Sequence, residues 1–194
     1  MKTTNLISVL AAVLLLLSCE TKQKQTPNNE NKTEVVSQST EHKQEVRKDD
    51  NYGIITKRSF VDVKTTMDRL EKIISKKEDV RLFNRINHAE NSRNTGEKNV
   101  LDSELVIFGN PKVGLKMLSK DPRAGIDLPL KILAYKAKDG KVYVSYRDVS
   151  YFDKIYNLEG CEAKDKMSAA INKMSDIITK SPEDFKLFLE KSKS

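Results

Sequence analysis

The chain has 194 residues with 35 basic and 28 acidic side chains, so its net charge is +7, and only 6% of its residues are aromatic. This length suits one folded domain, and basic residues spread along the chain without interleaved aromatics exclude a typical nucleic-acid-binding surface. Two histidines and two cysteines are too few for a histidine-rich metal site. We therefore expect no metal, no cofactor and no nucleic acid partner.

The N-terminus has the pattern of a lipoprotein signal. Lys2 precedes an almost wholly apolar run from Leu6 to Leu17, which is followed by Ser18 and Cys19. An uncleaved membrane anchor is the alternative, but about a dozen residues rise only ~18 Å as a helix, short of the ~30 Å hydrocarbon core. We therefore predict that residues 1–18 are cleaved and that Cys19 is acylated, which anchors the protein to a membrane of the bacterial cell envelope, facing the periplasm or the cell exterior.

Residues 19–50 are predicted to be a disordered tether, because this stretch is rich in polar residues and its few valines cannot form a core. Residues 51–194 then have the size of one domain and carry 28 basic and 21 acidic residues, which is the whole net charge of the chain. The excess positive charge could favour anionic lipid or an acidic envelope polymer, but we prefer the simpler interpretation that it forms a well-solvated surface. Cys161 has no partner for an internal disulfide. It could be a buried structural residue, a reactive thiol or one half of an intermolecular bridge.

Strands and helices alternate in the first half of the predicted domain. A strand is expected over residues 53–59, and Asp62 then caps a helix whose apolar residues repeat at three- and four-residue spacing. A second strand over residues 80–86 leads into a short helical or irregular piece over residues 87–96. This pattern places the domain in the α+β class.

The second half contains the strongest local signals. A strand over residues 104–108 runs towards Asn110 and Pro111, which suit the cap and the first position of a short helix. Beyond a later hairpin the pattern becomes helical, with an apolar stripe over residues 167–178 that includes two methionines. Ser181 then starts a last helix, so we expect helices at the C-terminus.

Asp139 and Gly140 predict a tight hairpin between two apolar strands, because this dipeptide readily adopts the positive φ angles of a two-residue turn. A two-residue loop pairs Tyr135 with Val144 and places these large side chains on one apolar face. The same register puts Ile132 on the opposite, wetter face.

Three sequence blocks and a strand end occur in a specific order. They are Ile86-Asn87-His88-Ala89 followed by Gly96, then Val106-Ile107-Phe108-Gly109-Asn110-Pro111-Lys112-Val113-Gly114, then Asp127-Leu128-Pro129-Leu130-Lys131, and finally Val144-Ser145-Tyr146. Together they resemble the domain of unknown function 302 (DUF302) family of proteins.

The resemblance covers about residues 52–158 and leaves residues 159–194 as a helical extension. It implies a two-layer α+β domain with a curved antiparallel sheet of TATA-binding-protein-like topology and helices packed on one face, and it implies that members are often dimers. Asn87 stands where the family commonly has Asp, and Leu115 stands where it commonly has Thr. An acid-dependent activity at those positions would therefore be missing in this chain.

Four residues of these blocks are candidates for ligand binding: His88, Asn110, Lys112 and Asp127. Asn110 and Lys112 stand at a helix N-terminus, which is the ordinary makeup of an anion site, although a sharp strand-to-helix turn explains the same residues. His88 could be an acid–base group or only a helix cap, and Asp127 could only support a strand entry. Because each candidate borders a strand, we predict that His88, Asn110 and Asp127 surround one polar depression at one end of the sheet.

Three hypotheses for function remain. The first is a lipid-anchored envelope module that binds a small anionic ligand or a protein. The second is a small enzyme with His88 as general base and Lys112 as electrostatic stabiliser, although no Ser-His-Asp, Cys-His, zinc or dinucleotide pattern accompanies them. The third is a structural envelope homodimer without a ligand. A pocket would favour the first two hypotheses, and a flat, filled sheet face would favour the third.

Overall fold

The structure is a computed structural model that describes residues 44–49 and 52–192. The predictions made for Cys19 and for residues 1–43 lie outside the described residues. The last part of the predicted tether differs from the expectation, because Val46–Asp49 forms an edge strand whose backbone pairs with the next strand. A sheet edge supplies hydrogen-bond partners to such a segment even where its side chains are polar.

Six antiparallel strands form one sheet in the order β1-β2-β6-β5-β4-β3. Side chains alternate between buried and half-buried along β2 and β4, as expected for strands that face a core on one side only. The strands are β1 (Val46–Asp49), β2 (Ile54–Ser59), β3 (Arg81–Asn87), β4 (Ser103–Gly109), β5 (Leu130–Lys136) and β6 (Val142–Arg147).

In the part of the chain that the structure describes, five α-helices accompany the sheet, and the predicted α+β class with C-terminal helices is confirmed. The predicted caps form, since Asp62 accepts from Thr65 N, and the Asn110 side chain accepts from Lys112 N and Val113 N. The helices are α1 (Val63–Ile74), α2 (His88–Arg93), α3 (Pro111–Leu118), α4 (Glu162–Ile178) and α5 (Pro182–Lys191), with short 3-10 helices at Pro122–Ile126 and Val149–Lys154.

The core lies between the inner face of the sheet and the helices α1 and α4. Met67 and Leu70 of α1 are fully buried against strands β4 and β5, and Ile171 of α4 is 1% exposed. Two buried cations also hold α4 in place. The Arg69 guanidinium of α1 donates to the carbonyls of residues 178 and 180, and Lys57 Nζ of β2 donates to Ser175 Oγ of α4 at 2.9 Å. These bonds satisfy charges that burial would otherwise penalise.

The hairpin register is the main error of the sequence prediction. The loop has three residues, because Ala137 N donates to Lys141 O and Gly140 N donates to Ala137 O, while Gly140 holds a φ of +80°. This is a turn followed by a residue in the left-handed region, which shifts the pairing by one residue relative to a two-residue loop. Tyr135 consequently pairs with Tyr143, not with residue 144.

A shift of one residue exchanges the two faces of a strand. Ile132 and Ala134, which the prediction placed on the wetter face, are therefore fully buried under the helices. Leu133 and Tyr135 lie on the outer face of the sheet and are only half-buried.

Candidate functional site

His88 and Asn110 lie at opposite ends of the sheet. Asn87 pairs with Glu104 at the beginning of β4, whereas Asn110 follows Gly109 at the end of the same strand. Five residues of strand separate these ends, which is roughly 17 Å. The prediction that His88, Asn110 and Asp127 surround one depression is therefore wrong for His88.

His88 is the exposed first residue of α2, and its side chain contacts no hydrogen-bond partner within residues 44–49 and 52–192. The helix cap is the preceding residue, because Asn87 Oδ1 accepts from Glu90 N at 2.8 Å. The departure from the family pattern at position 87 therefore keeps a local structural role, since Asn and Asp both cap helices well.

Asp127 lies at the same end of the sheet as Asn110 but has separate partners. Its carboxylate accepts from Tyr156 Oη at 2.7 Å and lies 3.6 Å from Arg147 Nε. Burial of the phenol, followed by this hydrogen bond, raises the pKa of Tyr156 to about 12. Asp127 therefore links the residues just before β5 to the segment after the second 3-10 helix. This contact agrees with the interpretation that Asp127 supports the entry to a strand.

Asn110 combines the helix cap with a contact to the loop before β3. Its amide nitrogen donates to Asp79 Oδ2 at 2.7 Å, while its oxygen caps α3. Lys112 is exposed on the first turn of α3, and its ammonium group meets no acidic partner among the described residues. Asn110 is the one of the four candidates that lines the cleft described next.

An apolar cleft of about 780 Å³ opens at this end of the sheet. This volume is within the range of roughly 300–1,000 Å³ that is usual for small-molecule sites. The cleft lies between the loop that follows α1, the turn from β4 into α3, the entry to β5, and α4. Its apolar walls are formed by Val80, Phe83, Phe108, Val113, Leu115, Leu118, Leu128, Pro129, Leu130, Met167, Ala170 and Met174.

The glycines of the shared block contribute space to this cleft. Gly114 stands on α3, and a Cβ added there would meet no atom within 4 Å. At Gly109 an added Cβ would lie 3.6 Å from Pro129 Cβ, which is ordinary van der Waals contact. Neither glycine is required by a close backbone approach, and the missing side chain at Gly114 leaves part of the cleft open.

The mouth of the cleft is both apolar and cationic. Phe83 and Leu115 line the cleft and remain 50% and 63% exposed. Lys77 and Lys166 line it as well, and neither ammonium group pairs with an acidic or carbonyl oxygen in the part of the chain that the structure describes. Asp79 supplies the one carboxylate among the lining residues of this cleft.

The cleft can hold an apolar molecule and can contact a polar end of it, but its walls carry few groups that could perform chemistry. Cys161 is buried outside the lining, with Sγ 3.9 Å from Lys116 O. Within the described residues, no group of three or more His, Cys, Asp or Glu side chains is placed to hold a metal ion. The two methionines of the α4 stripe, Met167 and Met174, serve the core and the cleft wall.

Fold and cleft together define a small two-layer α+β domain with a ligand-sized apolar site at one end of its sheet. The chain belongs to the family described as Domain of unknown function DUF302, whose model matches residues 55–177. This range includes every lining residue of the cleft and extends through most of α4, beyond residue 158 where the sequence resemblance ended.

Among solved structures, the chain is similar to the crystal structure of an uncharacterized conserved DUF302 protein from Bacillus stearothermophilus. The TM-score is 0.57 at 15% sequence identity, and the alignment covers 66% of this chain and 98% of that one. At this identity the similarity demonstrates a shared fold and nothing finer.

Curated relatives match over 106 residues at 28% identity. They include the Fluoride-specific ion channel FluC 1 of Brucella suis biovar 1 and FluC 2 of Brucella melitensis biotype 1. The match covers 55% of this chain but only 41% and 38% of those proteins, so the chain spans less than half the length of the curated relatives it matches. The channel function in those names is that of the Brucella proteins.

The helices within residues 44–49 and 52–192 include none with the length and hydropathy needed to cross a membrane.

The sequence did not predict that the apolar residues of the cleft walls surround one open space. Phe83 carried no signal beyond being apolar, and Leu115 stood out only as a departure from the family pattern. Lys77 and Lys166 were two among many dispersed lysines. Their common location depends on how α1, α3 and α4 pack, which no local pattern specifies.

Proposed function

We propose that this DUF302 protein is a ligand-binding module of the bacterial envelope, anchored through an acylated Cys19, and that its folded domain binds an apolar small molecule in the cleft. The observation that carries this proposal is the cleft itself, about 780 Å³ in volume and walled mainly by apolar side chains. Large, well-formed apolar pockets with a few polar groups are the usual location of small-molecule sites.

Exposed apolar side chains at the mouth support a binding role. Phe83 and Leu115 would lose unfavourable contact with water when a ligand covers them, at about 25 cal/mol per Å² of apolar surface. A flat, filled face would have favoured the structural-dimer hypothesis, and the open cleft favours a ligand instead. A homodimer remains an expectation from the family resemblance and is compatible with a ligand in each subunit.

The enzyme hypothesis has less support. It requires His88 and Lys112 to act on one substrate, yet these residues border opposite ends of β4. General acid–base catalysis needs the base within hydrogen-bond reach of the reacting group. The binding proposal therefore assigns no catalytic role to His88.

Gly114→Leu should weaken binding in the cleft, because the new side chain would occupy the open space beside α3. We expect the affinity for the neutral fluorescent probe N-phenylnaphthylamine to fall by roughly tenfold or more. Gly114→Ala is the matched control: both variants remove a helical glycine and should stabilise α3 by about 0.5–1 kcal/mol, but alanine leaves most of the space free. Titration of probe fluorescence compares the three proteins, and equal affinities for all three would contradict the proposed site.

Cys19→Ala should eliminate lipid attachment, because the thiol of this residue is the predicted acceptor of the acyl-bearing group. After growth with a clickable fatty acid, we expect no label on the variant and no recovery of processed protein in the membrane fraction. Cys161→Ala is the control, since that thiol is buried in the domain and should not affect labelling. Full labelling of the Cys19 variant would refute the proposed anchor.

A further inference from the structure

We infer that the ligand of the cleft is a single-chain amphiphile with a carboxylate head, that is, a fatty acid. This inference rests on the proposed function, because it names the class of molecule that the cleft binds. The apolar walls would hold the hydrocarbon chain, and the lysines at the mouth would hold the carboxylate.

The walls suit a hydrocarbon chain. Phe108 is 1% exposed overall and forms the inner wall with Met174 of α4, which is 5% exposed, and Leu130 of β5, which is 6% exposed. A ligand that reaches these side chains enters the main core cluster of the domain. Polar groups there would lose their hydrogen bonds to water without replacement, so the buried part of the ligand must be apolar.

The mouth suits an anion. Lys77 and Lys166 lie on two different elements, the loop after α1 and the helix α4, and both line the cleft. Neither ammonium group forms an ion pair or donates a hydrogen bond within the residues that the structure describes, so each can bind a ligand without losing an existing partner. The carboxylate of Asp79 already accepts a hydrogen bond from the Asn110 amide, so its position is set by the cap of α3.

The balance of charge discriminates between head groups. Two lysines against one aspartate leave a net positive charge around the mouth, which favours a carboxylate and disfavours an ammonium head. The cleft volume of about 780 Å³ suits one drug-sized or single-chain ligand. Because exposed ion pairs are weak, each lysine should improve the affinity by up to about fivefold.

Three ligands with the same chain test this inference: decanoate, decanol and decylammonium, each measured at neutral pH by displacement of N-phenylnaphthylamine from the full-length protein. We expect decanoate to bind roughly tenfold more tightly than decanol, with decylammonium weakest. We also expect the preference for decanoate to decline as the salt concentration rises, because screening weakens interactions between exposed charges.

A double variant locates the effect. Lys77→Met/Lys166→Met should lose the preference for decanoate and keep its affinity for decanol, since methionine retains the apolar part of the side chain. Lys98→Met/Lys138→Met removes the same charge from loops at the far end of β4 and β5 and should behave like the unmodified protein.

The outcomes separate the two proposals. If decanol and decanoate bind with equal affinity, or if the control double variant loses the preference as well, the fatty-acid inference is overturned and the apolar-ligand proposal stands. If none of the three ligands displaces the probe, the proposed function itself is overturned. If the Lys77/Lys166 variant fails to fold, the salt dependence of the decanoate preference in the unmodified protein still decides the question.

Discussion

Gly53→Ala should destabilise the domain by about 2–4 kcal/mol, because two independent penalties act at this position. Gly53 has a φ of +61°, and a Cβ there would lie only 2.2 Å from Cγ of Tyr151. The backbone cannot move away easily, since Gly53 N donates to Asp49 O and Gly53 O accepts from Asp148 N, both at 2.8 Å. The midpoint of urea unfolding, with the slope held constant, measures the loss.

Gly140→Ala separates the two penalties at Gly53. Gly140 also has a positive φ of +80°, but a Cβ there would meet nothing within 4 Å. We expect this control to cost only about 1–2 kcal/mol, the conformational part of the effect. Equal losses in both variants would show that the aromatic ring of Tyr151 moves aside without cost and that packing at Gly53 is unimportant.

Arg85→Met should destabilise the domain by about 2–4 kcal/mol, because it leaves a buried carboxylate without its cation. Arg85 on β3 donates to Glu104 Oε2 at 2.6 Å and to Asp68 Oδ1 of α1 at 2.7 Å, and it lies 3.3 Å from Glu71. The Glu104 side chain is only 10% exposed, so water cannot replace the lost partner well. Thermal and urea unfolding measure the effect.

Two further variants test this explanation. Adding Glu104→Gln to Arg85→Met should recover part of the lost stability, because it removes the uncompensated charge. Arg93→Met is the surface control: its partner Asp102 is 58% exposed, and the expected loss is below about 1 kcal/mol. A loss of similar size for Arg93 and Arg85 would argue against burial as the cause.

Local signals predicted the helix starts well. At Asn110 and Pro111 the cap and the first helical position are adjacent in sequence, so the turn from β4 into α3 needs no information from elsewhere. The stripe of α1 is similarly local, because the period of its apolar residues alone determines which face is buried.

The hairpin shows where local information becomes ambiguous. Asp139 and Gly140 are compatible with a two-residue loop and with a three-residue loop in which Gly140 takes the left-handed position. The pairing is decided by which set of side chains the helices bury. In the structure the helices bury Ile132 and Ala134, and the larger Tyr135 remains half-buried on the outer face of the sheet.

The site prediction failed at His88 for a topological reason. His88 and Asn110 each follow a strand, and residues that follow two neighbouring antiparallel strands lie at opposite ends of the sheet. Asp127 precedes β5, which is antiparallel to β4, and therefore lies at the end where Asn110 is found. The order and direction of the strands control all three positions, and no local pattern in the sequence specifies them.

The sequence by itself determined the α+β class, the caps and apolar stripes of the helices, and the sequence blocks by which the chain resembles the DUF302 family. Each of these depends on residues close together in the chain. Only the tertiary structure decided the register of the hairpin, the separation of His88 from Asn110, and the cleft. The cleft depends on the packing of α1, α3 and α4 at the end of the sheet, where residues 77 and 166 come from segments almost ninety positions apart. Contacts between such distant segments arise from the burial of apolar surface by the whole fold and leave no periodic pattern in the sequence.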